Sequence, residues 1–278
     1  MIEIVNPSHP DKVADRIAGA LVDYCYTIQD APKVAVEILA GHGRALIIIE
    51  SSVEVPQQVA EEICDRISGG DIETVDLLSV PQDAHLANNQ TTLHAGDNGI
   101  FKGVKADEEE QKLAEIARAI YTEFPTDGKY ILDGDHLIVC QSHADNKELA
   151  DFCHKIGDEK GIKKYTINPL GEWTGGLNVD SGATNRKLGS DMGKSVTGGG
   201  LHGKDLSKAD ISLNLYAFMH AKKDDPCEIS CAIGDEFVDY EGKKLAFKDA
   251  VSEAEKIVKS IGGFEKFAEW GFHSPVFD

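Results

Sequence analysis

The order helix, hairpin, helix, strand is written three times along this chain, with starts about a hundred residues apart. In the first unit Pro10 stands at a helix start, and Val13, Ile17, Leu21 and Tyr24 form a stripe of helical period. Val34–Leu39 and Arg44–Val53 flank Gly41-His42-Gly43 and predict a hairpin. A helix from Pro56 to Ser68, stopped by Gly69-Gly70, and a strand at Ile72–Val80 follow. The second unit opens with a helix near Asp107 that ends at Pro125. Its hairpin, Tyr130–Leu132 with His136–Cys140, turns at Asp133-Gly134-Asp135, and a helix around Lys147–Ile156 and a strand at Lys163–Ile167 complete it. The third has a helix near Leu206–Ala221, strands near Cys227–Ile233 and Glu236–Tyr240, and a helix around Lys248–Ile261. The units share no evident residue identity, so the repeat is one of elements. It predicts an α/β (α+β) chain of three pseudo-equivalent subdomains, 1–105, 106–175 and 176–278. Each is a mostly antiparallel sheet covered by helices, in a pseudo-threefold arrangement. Two glycine-containing loops, Pro81–Gly99 and Gly171–Gly203, break the pattern, and such loops are where sites tend to lie.

Charge narrows the partners. Against 48 Asp and Glu there are only 28 Lys and Arg, a formal net charge of −20. Nucleic acids and anionic membranes, which bind through clustered cations, are excluded by that balance. No apolar run approaches the roughly 20 residues of a membrane span, and the start, Met1-Ile-Glu-Ile-Val, lacks the basic and apolar regions of a secretory signal. The six cysteines contain no CxxC pair and read as free thiols of a reducing compartment rather than zinc ligands. A soluble cytoplasmic protein is expected.

Within this acidic chain, five cations (Arg186, Lys187, Lys194, Lys204 and Lys208) crowd into Asp180–Asp210 around Gly198-Gly199-Gly200. Lysines beside glycine turns bring point charges and free backbone N–H groups together, which suits a polyphosphate. The attraction has to be local, because the field of the whole protein repels anions. His9-Pro10-Asp11-Lys12 taken alone is ordinary helix-start chemistry, and Ala95-Gly96-Asp97-Asn98-Gly99 and Asp127-Gly128-Lys129 are turn signals. Glu37 and Glu50 sit thirteen residues apart inside apolar hairpin strands, where a carboxylate must face solvent, pair with a cation or bind a metal.

Taken together and in order, these motifs, with Ile167-Asn168-Pro169-x-Gly171, Asp180-x5-Arg186-Lys187 and Gly203-Lys204-Asp205-x2-Lys208-x-Asp210, resemble the S-adenosylmethionine synthetases from about Asn6 to the C-terminus. Family members are built from three pseudo-equivalent α/β subdomains. The resemblance implies attack of methionine sulfur on C5′ of ATP, loss of the whole triphosphate, and its cleavage to phosphate and pyrophosphate. It implies Mg²⁺, two per site, potassium, and a homodimer with sites between subunits that can pair to a tetramer. His9 matches the family histidine at the triphosphate. Asp11 and Asp210 match the Mg²⁺ carboxylates, and Glu37 the potassium-site glutamate. Glu50 and Lys208 match the methionine-binding pair, with Gln82 as the methionine-side glutamine. Asp127 and Lys129 match nucleotide contacts, and Asp180 touches both substrates. Arg186, Lys187 and Lys204 match the phosphate clamp, with Leu201 among the ATP contacts. Trp173 matches the ring against adenine, and Asp97 the acidic partner near the sulfonium. In the dimer the resemblance sets Glu50, Asp97 and Arg186-Lys187 facing His9 and Lys208.

The chain departs from the family pattern at Pro7-Ser8 and at Leu201-His202, and it is shorter than the usual member. Pro81–Ala95 is several residues shorter than the family's mobile loop and offers few apolar residues, so an open site without a well-packed cover is expected. A catalytically silent homologue that binds nucleotide or S-adenosylmethionine, and a triphosphatase acting without methionine, are the alternatives. Retention of Lys187, Lys204, Lys208, Asp11 and Asp210 speaks for the synthetase, because a mere binder does not have to stabilise a leaving triphosphate.

Overall fold

The computed structural model describes residues 1–278 apart from the side chain of Thr91. Strand β1 (Ile2–Val5) leads into helix α1 (Pro10–Ile28), where His9 is the N-cap, Pro10 the first residue and Asp11 the acid of the first turn. Val13, Ile17 and Leu21 are buried along the stripe, and Tyr24 packs at the edge of the same core. Strands β2 (Val34–Gly41) and β3 (Gly43–Ser51) form the expected hairpin. Helix α2 (Gln57–Ser68) stops at Gly69, which turns left-handed at φ 67°. It carries the chain back so that β4 (Ile72–Val80) lies parallel to β3.

Helix α3 (Ala84–Thr91) and strand β5 (Gly99–Gly103) follow. Helix α4 (Glu108–Glu123) begins in a capping box of Asp107 and Glu110. Strands β6 (Gly128–Asp133) and β7 (His136–Gln141), helix α5 (Asn146–Asp158) and the parallel strand β8 (Lys164–Ile167) repeat the first pattern. After β9 (Ser181–Ala183) and α6 (Leu188–Met192) comes α7 (Ala209–His220). Strands β10 (Cys227–Cys231), β11 (Phe237–Tyr240) and β12 (Lys243–Ala246) and helices α8 (Phe247–Ile261) and α9 (Phe264–Trp270) close the chain.

Three four-stranded sheets result, in the orders β4-β3-β2-β9, β1-β6-β7-β8 and β12-β11-β10-β5. Two of them hold one parallel pair each and the third is wholly antiparallel. The mostly antiparallel, helix-covered fold expected from the threefold element order is therefore present. Each sheet also takes one short strand from elsewhere in the chain: β9 joins β2, β1 joins β6 and β5 joins β10. Three separate apolar cores lie under the three sheets, the largest packing α1, α2 and α9 against β2 and β3. No described helix is long and apolar enough to cross a membrane.

The first sheet has two unlike faces. Val34, Val36, Ile38, Ile47 and Ile49 are buried beneath α1, as the alternation of a strand requires. On the opposite face Leu39, Leu46, Ile48 and Leu78 are each about half exposed, beside the exposed Glu37 and Glu50. Registers bring Leu39 opposite Leu46, Ile48 opposite both Glu37 and Leu78, and Ala35 opposite Glu50.

The loop expected over Pro81–Gly99 contains a helix, α3. Asp83 caps α3 by accepting from the N–H groups of His85 and Leu86, and Asn89 donates to Ala95 O at 2.7 Å. A largely polar segment is thereby folded into a helix whose Gln90 is fully buried. Local capping supplies the helix start, and the expectation of an open site is a separate matter of what covers the cavity.

Candidate active site

The start of α1 is pressed against β9 so closely that a Cβ on Gly182 would stand 2.1 Å from the carbonyl of Pro10. That approach lets Ala183 N donate to Asp11 Oδ1 at 2.9 Å. Lys187 Nζ reaches Asp11 Oδ2 at 2.7 Å, and Arg186 lies 3.4 Å from Oδ1. His9 Nδ1 accepts the N–H of Asp11 at 3.2 Å, so the neutral ring carries its proton on Nε2. Burial, followed by the neighbouring Lys187 charge, pushes the His9 pKa down to about 4, and the ring is neutral at physiological pH.

Asp127 belongs to the same group. It accepts from Gly176 N at 3.0 Å, and a Cβ on Gly175 would strike both its carboxylate and the Trp173 ring. Trp173 donates from Nε1 to Asn168 Oδ1 at 3.2 Å and stands beside an open cleft of about 670 Å³. Burial first, then the Asp180 and Asp11 charges, raises the Asp127 pKa to about 6, against the opposing Gly176 hydrogen bond. Lys129 pairs with Glu3 at 2.8 Å and acts electrostatically on His9, as does Asp180. His9, Asp11, Asp127, Lys129, Asp180, Arg186 and Lys187 thus form one cluster.

An ionised Asp127 costs stability, with a pH dependence of definite sign. Its folded pKa is raised above the ordinary 3.8, so the stabilising contribution is complete below about 3.8 and is lost as pH rises through about 6. Asp127→Asn should therefore stabilise the fold at pH 7.5 by about 1–3 kcal/mol, or several degrees in Tm. The gain should shrink between pH 6 and 4, which thermal unfolding across that range will read.

A second cluster lies on the exposed face of the first sheet, around a cavity of about 410 Å³. Its charged walls are Glu37, Glu50, Asp97, Lys204, Lys208 and Asp210. Lys204 pairs with Asp210 at 3.0 Å, and the Thr184 hydroxyl donates to Glu37. Burial depresses the Lys208 pKa, partly offset by Asp205. A Cβ on Gly199 would lie 2.4 Å from Asp210 Oδ1, so only glycine leaves room beside that oxygen.

The grouping expected for the dimer is corrected by this geometry. Glu50 and Asp97 share a cavity with Lys208, whereas Arg186 and Lys187 stand with His9. The sheet itself divides them, because α1 packs on one face and the two glutamates project from the other. Leu201 is fully buried in the largest core, so its side chain cannot meet ATP and only its backbone remains for that role. Gln82 does not line the second cavity, but Leu86 and Gln90 of α3 do. Both side-chain amide atoms of Gln90 are buried without a hydrogen-bond partner. Sequence reasoning missed Gln90 because a polar residue in a polar segment gives no signal of burial.

Behind the first cluster lies a third group, fully buried, in which Asp15, Asp191 and His202 could geometrically surround a metal. Lys12 already fills the cation position, bonded to Asp191 and 3.7 Å from Asp15. Burial opposes ionisation of Asp191, but Lys12 and then His202 outweigh it and hold its pKa at about 2. This group is an internal ion network rather than a metal centre. All six cysteines are free, and none joins a metal cluster among the described residues.

Residues 1–74 match the family described as S-adenosylmethionine synthetase, N-terminal domain. An S-adenosylmethionine synthase of Myxococcus xanthus (strain DK1622) is 30% identical over 264 residues, covering 76% of this chain and 66% of that protein. One from Fusobacterium nucleatum is 29% identical over 333 residues, covering 96% of this chain and 87% of that protein. The fold is similar to that of an unusual S-adenosylmethionine synthetase from Campylobacter jejuni, with a TM-score of 0.71 at 20% identity over 97% of this chain and 93% of that one. The order of the motifs, the three interleaved sheets and these likenesses agree, and the chain belongs to the S-adenosylmethionine synthetase family.

Proposed function

We propose that the protein joins ATP and L-methionine into S-adenosylmethionine and cleaves the displaced triphosphate to phosphate and pyrophosphate. The observation that carries this reading is the presence of two cation-bearing clusters on one chain, each incomplete by itself. The methionine sulfur lone pair forms the bond to C5′ while the C5′–O bond breaks, and its electrons leave on the triphosphate. Neutral sulfur carries no proton, so this step needs no general base. The task is instead to stabilise a departing polyanion and a nascent sulfonium.

The first cluster suits the triphosphate. Neutral His9 offers its Nε2–H to a phosphate oxygen, and Arg186 and Lys187 can turn from Asp11 onto the anion. Trp173 offers a face to adenine beside Asp127. In the second cluster Lys204 completes the clamp, Glu50 and Lys208 hold the amino and carboxylate ends of methionine, and Asp97 faces the sulfonium. Asp180 contributes to both substrates. Asp11 and Asp210 fit Mg²⁺, because each is a largely buried carboxylate neutralised by a lysine that phosphate would draw away. Bound Mg²⁺ would supply charge neutralisation on the phosphate oxygens. Glu37, held by Thr184 on the open face, is the residue we assign to potassium.

The partner that completes each site is a second copy of the chain. The half-exposed Leu39, Leu46, Ile48 and Leu78 surround the glutamates, and covering them would bring a second first cluster against the cavity. Pairing of such dimers into tetramers and a cytoplasmic location belong to the same reading, as does the division at residues 105 and 175. Detection of S-adenosylmethionine by mass spectrometry after mixing protein, ATP, methionine, Mg²⁺ and K⁺ tests it. Triphosphate cleavage without that product would leave a triphosphatase, and neither product would leave a silent binder.

A further inference from the structure

Asn185 stands between the two cation-bearing loops and holds both. Its backbone is left-handed, at φ 62°, a conformation that glycine and asparagine tolerate and most residues do not. Its own N–H donates to Asp15 Oδ1 at 2.8 Å, which ties the residue to α1. The left-handed turn swings the side chain onto the glycine loop. There Oδ1 accepts from Leu201 N at 2.8 Å and His202 N at 2.9 Å, and Nδ2 donates to His202 O at 3.2 Å. The fit is close, because a Cβ on Gly200 would lie 2.8 Å from Asn185 Cγ.

We infer that Asn185 is a positioning residue that fixes two cation-bearing loops against α1, the Arg186-Lys187 loop and the Lys204 loop, and so acts on both of the polyphosphate sites that these loops serve in a dimer. Three requirements meet at this position: a left-handed backbone, an acceptor for two N–H groups and a donor for a carbonyl. Glycine meets the first alone. Aspartate would set a carboxylate oxygen against the His202 carbonyl. Lys208, although only four residues beyond Lys204, is anchored separately. Its N–H donates to Asp205 O at 3.0 Å, and the Asp205 carboxylate accepts from Val34 N at 2.7 Å and Ser207 N at 2.7 Å. Loosening Asn185 should disturb the polyphosphate and spare methionine. This assignment rests on the proposed reaction for its kinetic readout but not for its binding readout.

The test uses the full chain and inorganic tripolyphosphate with Mg²⁺ in a calorimeter. Asn185→Gly keeps the backbone freedom and removes the bridge. It should bind tripolyphosphate about 10-fold more weakly or worse. Its far-ultraviolet circular dichroism should be unchanged, and KM for methionine should stay within about twofold, since Asp205 holds Lys208 independently. Gly200→Ala sets a methyl group against the Asn185 amide, forces that side chain off the glycine loop, and should reproduce the defect. In the Asn185→Gly background it should add little, because the atoms it strikes are gone. Unchanged tripolyphosphate affinity in Asn185→Gly, additive effects in the double variant, or an equal rise in KM for methionine would overturn the assignment. So would a wild-type chain that does not bind tripolyphosphate. A wild type that binds it but makes no S-adenosylmethionine would sink the proposed reaction and leave the positioning role standing.

Discussion

Asp11→Asn is expected to turn over about 10²-fold more slowly than wild type, or worse, the loss typical of removing one electrostatic stabiliser. The substitution keeps the shape and the acceptor for Ala183 N but removes a charge that is almost fully buried. Two effects act together. Lys187 and Arg186 lose the anion that holds them at 2.7 and 3.4 Å, and the carboxylate assigned to Mg²⁺ disappears. Asp210→Asn should have a similar effect from the second cluster by releasing Lys204. Initial rates over a Mg²⁺ titration check both, with the half-saturating concentration expected to rise in each variant. Normal turnover in both at low Mg²⁺ would refute the assignments.

Mixing two inactive variants is expected to restore about a quarter of wild-type activity when the lesions lie in different clusters, and none when they share one. Arg186→Ala damages the first cluster and Lys208→Ala the second. In a mixed dimer one site then inherits both lesions and the other inherits neither. If chains pair at random, half the dimers are mixed and half of their sites are intact. Arg186→Ala with His9→Ala should not complement, since either order leaves every first cluster damaged. Co-expression followed by a rate assay reads the result, with light scattering for the mass. An active monomer, or complementation within one cluster, would exclude a shared site. Because the chain carries a net charge of −20, association has to overcome like-charge repulsion, and the apolar patch of Leu39, Leu46, Ile48 and Leu78 is where that compensation should come from. Ile48→Lys should accordingly shift the protein toward monomers and lower activity with them.

Local pattern made much of this molecule legible. The stripes of α1 and α4, the hairpins at His42 and Gly134, and the stop at Gly69 are short-range events whose causes lie within a few residues. The family was legible for a related reason. Its motifs of lysine, arginine, glycine and carboxylate stand in order along the chain and can be read without knowing the fold. The strands β1, β5 and β9 were not legible, being three to five residues long and paired with partners far away in the chain. Nor could α3 be read where few apolar residues mark a packed face. Tertiary structure alone decided that Leu201 turns into the core, that Gln90 rather than Gln82 lines the cavity, and that Arg186 and Lys187 stand with His9 while Glu50 and Asp97 stand with Lys208. In each case the outcome depends on which face of a sheet a residue occupies and on what that sheet packs against. Charge and spacing name the chemical groups, but only the packed layers decide which of them can meet.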